Sequence, residues 1–296
     1  MLQFKPVHID DKDWMDELLT VEDSRSADFC FTNYYAWSDI FYTEVANHQD
    51  MLFGRYYINN KPRYLFPVGK GNLKEAIEAM IQDAKKEGVS LRITGITSEY
   101  LDIIEKAFPN TFSFSSFFSM FDYVYSAEKL ATLSGKKLHS KRNHIHRFED
   151  ENDWCFEPVR QSNIWECLEM TDKWMELNQG ETDYSTEQRA LKRVFQHFEE
   201  MKMEGGLIRS SGEVIAYCLG EKLNSDTYVV HFEKAFSSIQ GAYAIINREF
   251  VKCLMARYPE IKYINREEDM GEENIRKAKK SYYPDFMIEK YIAELK

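Results

Sequence analysis

Phe156-Glu157-Pro158-Val159, followed by Trp165 and Leu168, repeats in outline Phe4-Lys5-Pro6-Val7, followed by Trp14 and the pair Leu18-Leu19. Each stretch reads as a short strand running into an amphipathic helix, and the two lie about half a chain apart. Self-similarity at that separation points to a duplicated unit within the 296 residues.

Outward from Phe156, the second half resolves into a definite order. Cys155 to Arg160 reads as a strand. A helix from Ser162 to Leu177 is expected to bury Trp165, Leu168 and Met175. A second helix opens at the capping box Ser185-x-x-Gln188 and buries Leu191, Val194/Phe195, Phe198 and Met201, which fall at helical spacing. Gly206 to Arg209, Val214 to Gly220 and Thr227 to Glu233 form a meander, with turns at Ser211-Gly212 and Asn224-Ser225-Asp226. Gly241 opens a long helix, Ala242 to Tyr258, with Ile246, Phe250, Cys253 and Leu254 on one face. A strand at Lys262–Asn265, a helix at Glu272–Ser281 and a last strand at Phe286–Ile292 complete the order β-α-α-β-β-β-α-β-α-β.

The first half gives the same order. Its strands lie at Phe4–Ile9, Tyr42–Val45, Met51–Ile58, Tyr64–Val68, Ser90–Thr94 and Met120–Tyr125. Its helices lie near Trp14, at Leu73–Lys86 and at Ser98–Ala107, and the aromatic stretch Tyr34-Tyr35-Ala36-Trp37 sits between the first helix and the second strand. The expected domains are 1–130 and 154–296, joined by a basic connecting segment, 131–153.

Composition narrows the class. Apolar residues make up 44% and aromatic residues 15%, ample for buried cores, and the net charge of −11 argues against a general nucleic-acid coat. No apolar run reaches the roughly 18 residues of a membrane helix, and the first residues have no signal-peptide core. Five scattered cysteines without a Cys-x-x-Cys pair suggest neither a disulfide framework nor a zinc site. A reduced, cytoplasmic protein is the expectation.

Within this acidic chain, Lys136-Lys137-Leu138-His139-Ser140-Lys141-Arg142-Asn143-His144-Ile145-His146-Arg147 carries five Lys/Arg, three His and no acid. Lys141, Arg142 and Arg147 are candidates to bind phosphate, since ammonium and guanidinium groups give charge-assisted hydrogen bonds to it. A solvated helix end neutralised by Glu149-Asp150-Glu151 explains the same run. His139, His144 and His146 lack the partners that a metal site needs.

Duplicated in this way, the order of elements resembles tandem acyltransferase domains of the GCN5-related type. Two stretches narrow it: Lys136 to His144, and Ile264-Asn265-Arg266-Glu267-Glu268-Asp269-Met270-Gly271 with Arg276-Lys277-Ala278-Lys279-Lys280-Ser281-Tyr282. With these, nearly the whole chain resembles the bacterial family of the DUF2156 type, related to the C-terminal domain of phosphatidylglycerol lysyltransferase. The resemblance implies an α+β fold with two GCN5-like domains, each a mixed, mostly antiparallel sheet flanked by helices. It also implies an acyl or aminoacyl transferase, because that enzyme domain and the related Fem-type peptidyl transferases use charged tRNA. Full lysyltransferases carry a membrane-spanning part that this sequence does not show, so the resemblance by itself does not establish phosphatidylglycerol as the acceptor.

The remaining candidates follow from the fold so implied. On the meander's last strand, His231 and Glu233 share a face and could take a proton from an attacking amine. Lys234 lies beside them, and a rim ion pair between Glu233 and Lys234 is the plainer alternative. At the helix start Ser237 to Ala242, Gln240 and Gly241 could bind donor phosphate, but Tyr243 replaces the second small residue of the coenzyme A loop. Gly69-Lys70-Gly71, at the matching place in the first half, reads as an anion nest or, more simply, as an ordinary turn. Arg266 and Glu267 at a strand end border the expected cleft, and Tyr282 is a candidate general acid. Three functions remain open. One is aminoacyl or acyl transfer, with aminoacyl-tRNA as donor and a small molecule, peptide or lipid headgroup as acceptor. The second is transfer from acyl-CoA, and the third is a non-catalytic module for RNA ends or nucleotides.

Overall fold

A computed structural model describes residues 1–178 and 184–296. The chain forms two compact units that are interleaved in sequence. One comprises Met1–Asp122, Glu268–Glu273 and Met287–Lys296; the other comprises Tyr123–Glu267 and Asn274–Phe286. The expected boundaries at 130 and 154 were drawn as continuous stretches, whereas the segment 123–153 groups with the second unit and the last ten residues with the first.

Each sheet has the same plan. The first runs Lys5–Pro6, Glu44–His48, Met51–Ile58, Lys61–Leu65, Arg92–Thr97, Lys290–Leu295, Phe112–Ser116, with Val68–Gly69 also paired to Met51–Ile58. The second runs Trp154–Pro158, Glu204–Ser210, Glu213–Lys222, Thr227–Ala235, Tyr263–Asn265, Asp122–Ser126, Phe286–Ile288. In both, the fourth and fifth strands are parallel: Tyr64 and Leu65 face Ile93 and Thr94, while Thr227, Tyr228 and Val229 face Tyr263, Ile264 and Asn265. The α+β fold with two mixed sheets flanked by helices is therefore present, and the repeated order is real. Even the echo that pointed to it has a counterpart in bonding. Val7 donates to the Thr43 carbonyl and Val159 to the Gly205 carbonyl, and both valines are buried.

The sixth position of each sheet is filled by a strand from the other half of the sequence. Asp122–Ser126 follows the first half yet lies in the second sheet, and Lys290–Leu295 ends the second half yet lies in the first. The single last strand expected at Phe286–Ile292 is thus two strands in different sheets. Phe112–Ser116, not expected as a strand, closes the first sheet.

Local chemistry explains the elements that matter most. Helix Leu73–Lys86 is capped by Asn72, whose side chain accepts from the Lys74 and Glu75 N–H groups. It buries Ala76, Ile77, Met80 and Ala84 and ends on Lys85-Lys86, as its dipole favours. Strand Glu213–Lys222 is buried along all but its ends, so it reads as an apolar run rather than an alternation. Helix Ile164–Leu177 buries Ile164, Cys167, Met170, Thr171 and Trp174. The expected face through Trp165, Leu168 and Met175 is displaced by one residue, and Trp165 is 61% exposed. The cause is the competing stripe at Ile164, Cys167 and Met170, equally apolar and one position earlier. The capping box at Ser185 is not formed. Tyr184 holds the cap position, and Gln188 donates to Asp172 instead of reaching back.

Candidate functional site

Pairing between the fourth and fifth strands of the second sheet stops at Val229 and Asn265. Beyond that point the strand Thr227–Ala235 stays paired only on its other edge, with Glu213–Lys222, and side chains line the edge left open. A bulge at His231 interrupts the pairing with Glu213–Lys222, so His231 and Glu233 do not share a face by alternation: Glu233 meets Arg266, whereas His231 turns to Glu267. Arg266 Nη2 donates to Glu233 Oε1 at 2.9 Å, and Asn247 Nδ2, from helix Ala242–Arg257, donates to Oε2 at 3.2 Å. His231 lies between two carboxylates, with Nδ1 2.8 Å from Glu267 and Nε2 3.1 Å from Glu221. Glu267 holds its place with a left-handed backbone (φ 57°), fixed by its own N–H donating to Asn265 Oδ1.

Above the Glu233–Arg266 pair lie two phenols and a lysine. The Arg266 guanidinium stands 5.0 Å from the Tyr282 ring centroid and 5.7 Å from that of Tyr125. Lys141 Nζ is 4.1 Å from the Tyr282 ring. Burial, with Arg266 close by, draws the Lys141 ammonium down to about 8, against a smaller upward pull from Glu233. Burial pushes the Tyr282 phenol up, opposed by Arg266, so it stays protonated. Arg266 is raised despite its burial, because Glu233 and the two tyrosines favour its charge. Two polar atoms here are buried without a hydrogen-bond partner, Arg266 Nη1 and Asn247 Oδ1. A buried guanidinium nitrogen with no acceptor is costly to leave unmade and marks where an incoming oxygen could be held.

Of the candidates read from sequence, Glu233, Arg266, Tyr282 and Lys141 are brought together, and His231 and Glu267 form a separate pair with each other. The others are not. Lys234 points to the opposite face of its strand. There its ammonium lies 3.8 Å from the Trp174 ring centroid and 2.6 Å from Glu187, so the Glu233–Lys234 rim pair does not exist. Burial lowers Lys234, and Glu187 offsets part of that. Arg142 donates to the Leu133 and Gly135 carbonyls, tying down the end of the preceding helix. Arg147 pairs with Glu151 at 2.7 Å on an exposed surface. The three presumed phosphate ligands of the basic segment therefore point to three different places. The reason is helical geometry: Lys141, Arg142 and Arg147 lie in helix His139–Glu151, where neighbouring positions diverge by about 100°.

Gln240 and Gly241 meet the same helix. Gln240 Nε2 is 3.0 Å from His144 Nδ1. Gly241 adopts φ 91°, and a β-carbon there would lie 2.5 Å from the His144 carbonyl oxygen and 2.9 Å from Phe148 Cβ. A backbone carbonyl thus approaches the helix start where a donor phosphate was expected. Gly241→Ala is expected to cost on the order of 3 kcal/mol, from left-handed strain plus overpacking against backbone, and a denaturant midpoint measures it. In the first unit the equivalent turn is likewise closed on itself: Lys70 donates to the Asp50 carbonyl, and a β-carbon on Gly71 would run into the Gln49 carbonyl.

Asn247 and Tyr125 were not anticipated. Asn247 could have been found, since it is a polar residue amid Ile245, Ile246 and Phe250 on a buried helix face. Tyr125 could not, because its strand belongs to the second sheet only by the exchange described above.

No helix among the described residues is long and apolar enough to cross a membrane. The fold is shared with solved proteins. One, a conserved protein of unknown function from Bacteroides thetaiotaomicron, is 36% identical with a TM-score of 0.94, and the match covers 100% of both chains. Another, a C-terminal domain (DUF2156) of the lysylphosphatidylglycerol synthetase type from Agrobacterium fabrum, is 12% identical with a TM-score of 0.70. That match covers 96% of this chain and 91% of the other. An uncharacterized protein of Mycoplasmoides gallisepticum, MYCGA3080, is 22% identical over 83% of this chain and 76% of its own length. Residues 20–294 match the family described as "Phosphatidylglycerol lysyltransferase, C-terminal", and the chain belongs to that family.

Proposed function

We propose that the second unit transfers an aminoacyl group from an activated ester, with aminoacyl-tRNA as donor, to an amine or hydroxyl acceptor. The observation that carries this is the Glu233–Arg266 pair with its unspent Nη1 beside a lysine whose ammonium titrates at about 8. Family membership supports an aminoacyl rather than a simple acyl group. The carbonyl of His144 against Gly241 weighs against a coenzyme A pyrophosphate at that helix start.

In this scheme the acceptor's oxygen or nitrogen attacks the ester carbonyl and its proton passes to neutral Lys141. Arg266 Nη1 receives the oxyanion, at an orientation fixed by Glu233 and Asn247. Collapse of the intermediate breaks the ester bond, and the departing alkoxide takes the proton held on Lys141, directly or relayed through Tyr282, which leaves both groups as they began. The base role first assigned to Glu233 or His231 moves to Lys141, because both oxygens of Glu233 already accept hydrogen bonds and both nitrogens of His231 face carboxylates.

The test is incubation of the full chain with tRNA charged with labelled amino acids and a pool of small amines, peptides and lipid headgroups. Absence of chain-dependent loss of label from tRNA, for every amino acid, would sink the proposal. A pH profile checks the base. Lys141 is lowered, so its neutral form grows as pH rises, and the rate is expected to climb with a midpoint at about 8. Lys141→Arg keeps the charge but cannot titrate in this range. It should lose that limb together with roughly 10²–10⁴-fold in rate. Retention of the limb in Lys141→Arg would reassign the base.

A further inference from the structure

Tyr282 and Tyr283 are neighbours in sequence but face opposite ways. Tyr282 is buried under Lys141 in the candidate site, whereas Tyr283 is 45% exposed. Tyr283 also has a left-handed backbone (φ 54°), a conformation that a bulky side chain avoids unless its surroundings impose it. They do impose it. Its N–H donates to the Lys280 carbonyl at 2.9 Å, and its own carbonyl accepts from Lys129 Nζ at 2.5 Å, which also binds Asp285. The backbone that presents this ring at the surface is thereby fixed.

One ammonium lies against that ring, and further cations neighbour it in sequence. Lys137 Nζ lies 5.3 Å from its centroid, and both Lys136 and Lys137 are exposed. The helix that leads into Tyr283, Glu273–Lys280, buries none of its residues and carries Arg276, Lys277, Lys279 and Lys280. In a chain of net charge −11 this is a local reversal of sign. Lys137 precedes the half-buried Lys141 by about one turn, and Tyr283 follows the buried Tyr282 directly, so the chain that supplies the interior pair also supplies the surface pair.

An exposed aromatic ring on a fixed backbone, with an ammonium against it, is the arrangement that stacks an unpaired base while neutralising its phosphates. We infer that Tyr283, with Lys136 and Lys137, is a stacking platform for a single-stranded RNA end. The inference deepens the proposed transfer from aminoacyl-tRNA and rests on it for the identity of the RNA. Base stacking on Tyr283 holds the last unpaired nucleotides, and the lysines hold the phosphodiesters between them. The esterified terminus then lies beside Tyr282 and Lys141.

The test is fluorescence anisotropy with the full chain and an RNA hairpin bearing a short single-stranded 3′ end, against the same hairpin made blunt. The expected result is preference for the single-stranded end. Tyr283→Ala should weaken binding roughly tenfold or more. Tyr283→Gly, which relieves the left-handed backbone and so guards against misfolding, should behave like alanine, and Tyr283→Trp should retain binding. Lys137→Glu should weaken binding and flatten its dependence on salt. Equal affinity for both hairpins, or indifference to Tyr283→Ala and Tyr283→Gly, overturns the inference. Binding to anionic lipid vesicles in place of RNA, lost with Tyr283→Ala, overturns it also. A transfer assay with an aminoacyl ester of adenosine separates this from the activity. Transfer without hairpin binding leaves the activity standing and removes the platform. Tyr283-dependent hairpin binding without transfer does the reverse.

Discussion

Lys290→Met is expected to destabilise the protein by about 3–5 kcal/mol, the loss seen when one partner of a buried ion pair is removed. Lys290 opens the last strand and is almost wholly buried. Its ammonium lies 2.8 Å from Asp122, 2.9 Å from Asp28 and 3.5 Å from Glu268. Asp122, fully buried, also accepts from the Ala27 N–H at 2.8 Å. With methionine in place of the lysine, the three carboxylates lose the ammonium that lies among them, and Asp122 is left fully buried. For a chain of this size the melting temperature should fall by on the order of 10 °C, measured by circular dichroism. Adding Asp122→Asn should restore part of the loss, because it removes the carboxylate least able to reach water. Asp28→Asn alone should cost less, as Asp28 is partly exposed. Burial disfavours the Lys290 ammonium, but the three carboxylates outweigh it and raise Lys290 well above its ordinary value. The sign follows from that. A raised lysine contributes fully below its unfolded value and loses its contribution only as pH climbs through the folded one, so the wild-type advantage over Lys290→Met should hold across the neutral range. An unchanged melting temperature in Lys290→Met would show that the exchanged strand is held by backbone pairing alone.

That strand also marks the limit of what the sequence displays. Periodicity placed Leu73–Lys86 and Met51–Ile58 to the residue and recovered the duplicated order, because each depends on local spacing of apolar side chains. Sheet membership depends on pairing between residues far apart in the chain. Nothing within Asp122–Ser126 or Lys290–Leu295 states which sheet will accept it. The site divides in the same way. Glu233 and His231 are legible as polar residues on an apolar strand, though the bulge at His231, which no spacing announces, sends them to different partners; Arg266 and Glu267 are legible because they follow a strand end. The inward turn of Lys141 is hidden in a run of basic residues that all look alike as letters. Only the phase of helix His139–Glu151, set by buried Ile145 and Phe148, sends Lys141 toward Tyr282 while Arg142 and Arg147 go elsewhere.

Arg266→Met should lower aminoacyl transfer by about 10²–10³-fold, the loss that follows removal of one well-placed oxyanion donor. It should also destabilise the fold, because Glu233 would remain buried with only Asn247 as its donor. The two effects separate through the partner. Glu233→Gln removes the buried carboxylate, keeps an oxygen for Arg266, and leaves Nη1 where it was; stability should change little while transfer drops less than in Arg266→Met. In the double variant Arg266→Met/Glu233→Gln, stability should recover relative to Arg266→Met, since no unpaired charge remains, but transfer should not. A coupling of about 0.5–3 kcal/mol in stability is expected for residues in direct contact. Recovery of both quantities together would mean that Arg266 matters only as the counter-ion of Glu233. Recovery of stability without transfer places the guanidinium on the reacting oxygen. Arg266→Lys sharpens the distinction, because lysine keeps the charge but lacks the planar fork that lets one nitrogen hold Glu233 while another stays available. It should fold nearly as well as the parent and still lose most of the transfer.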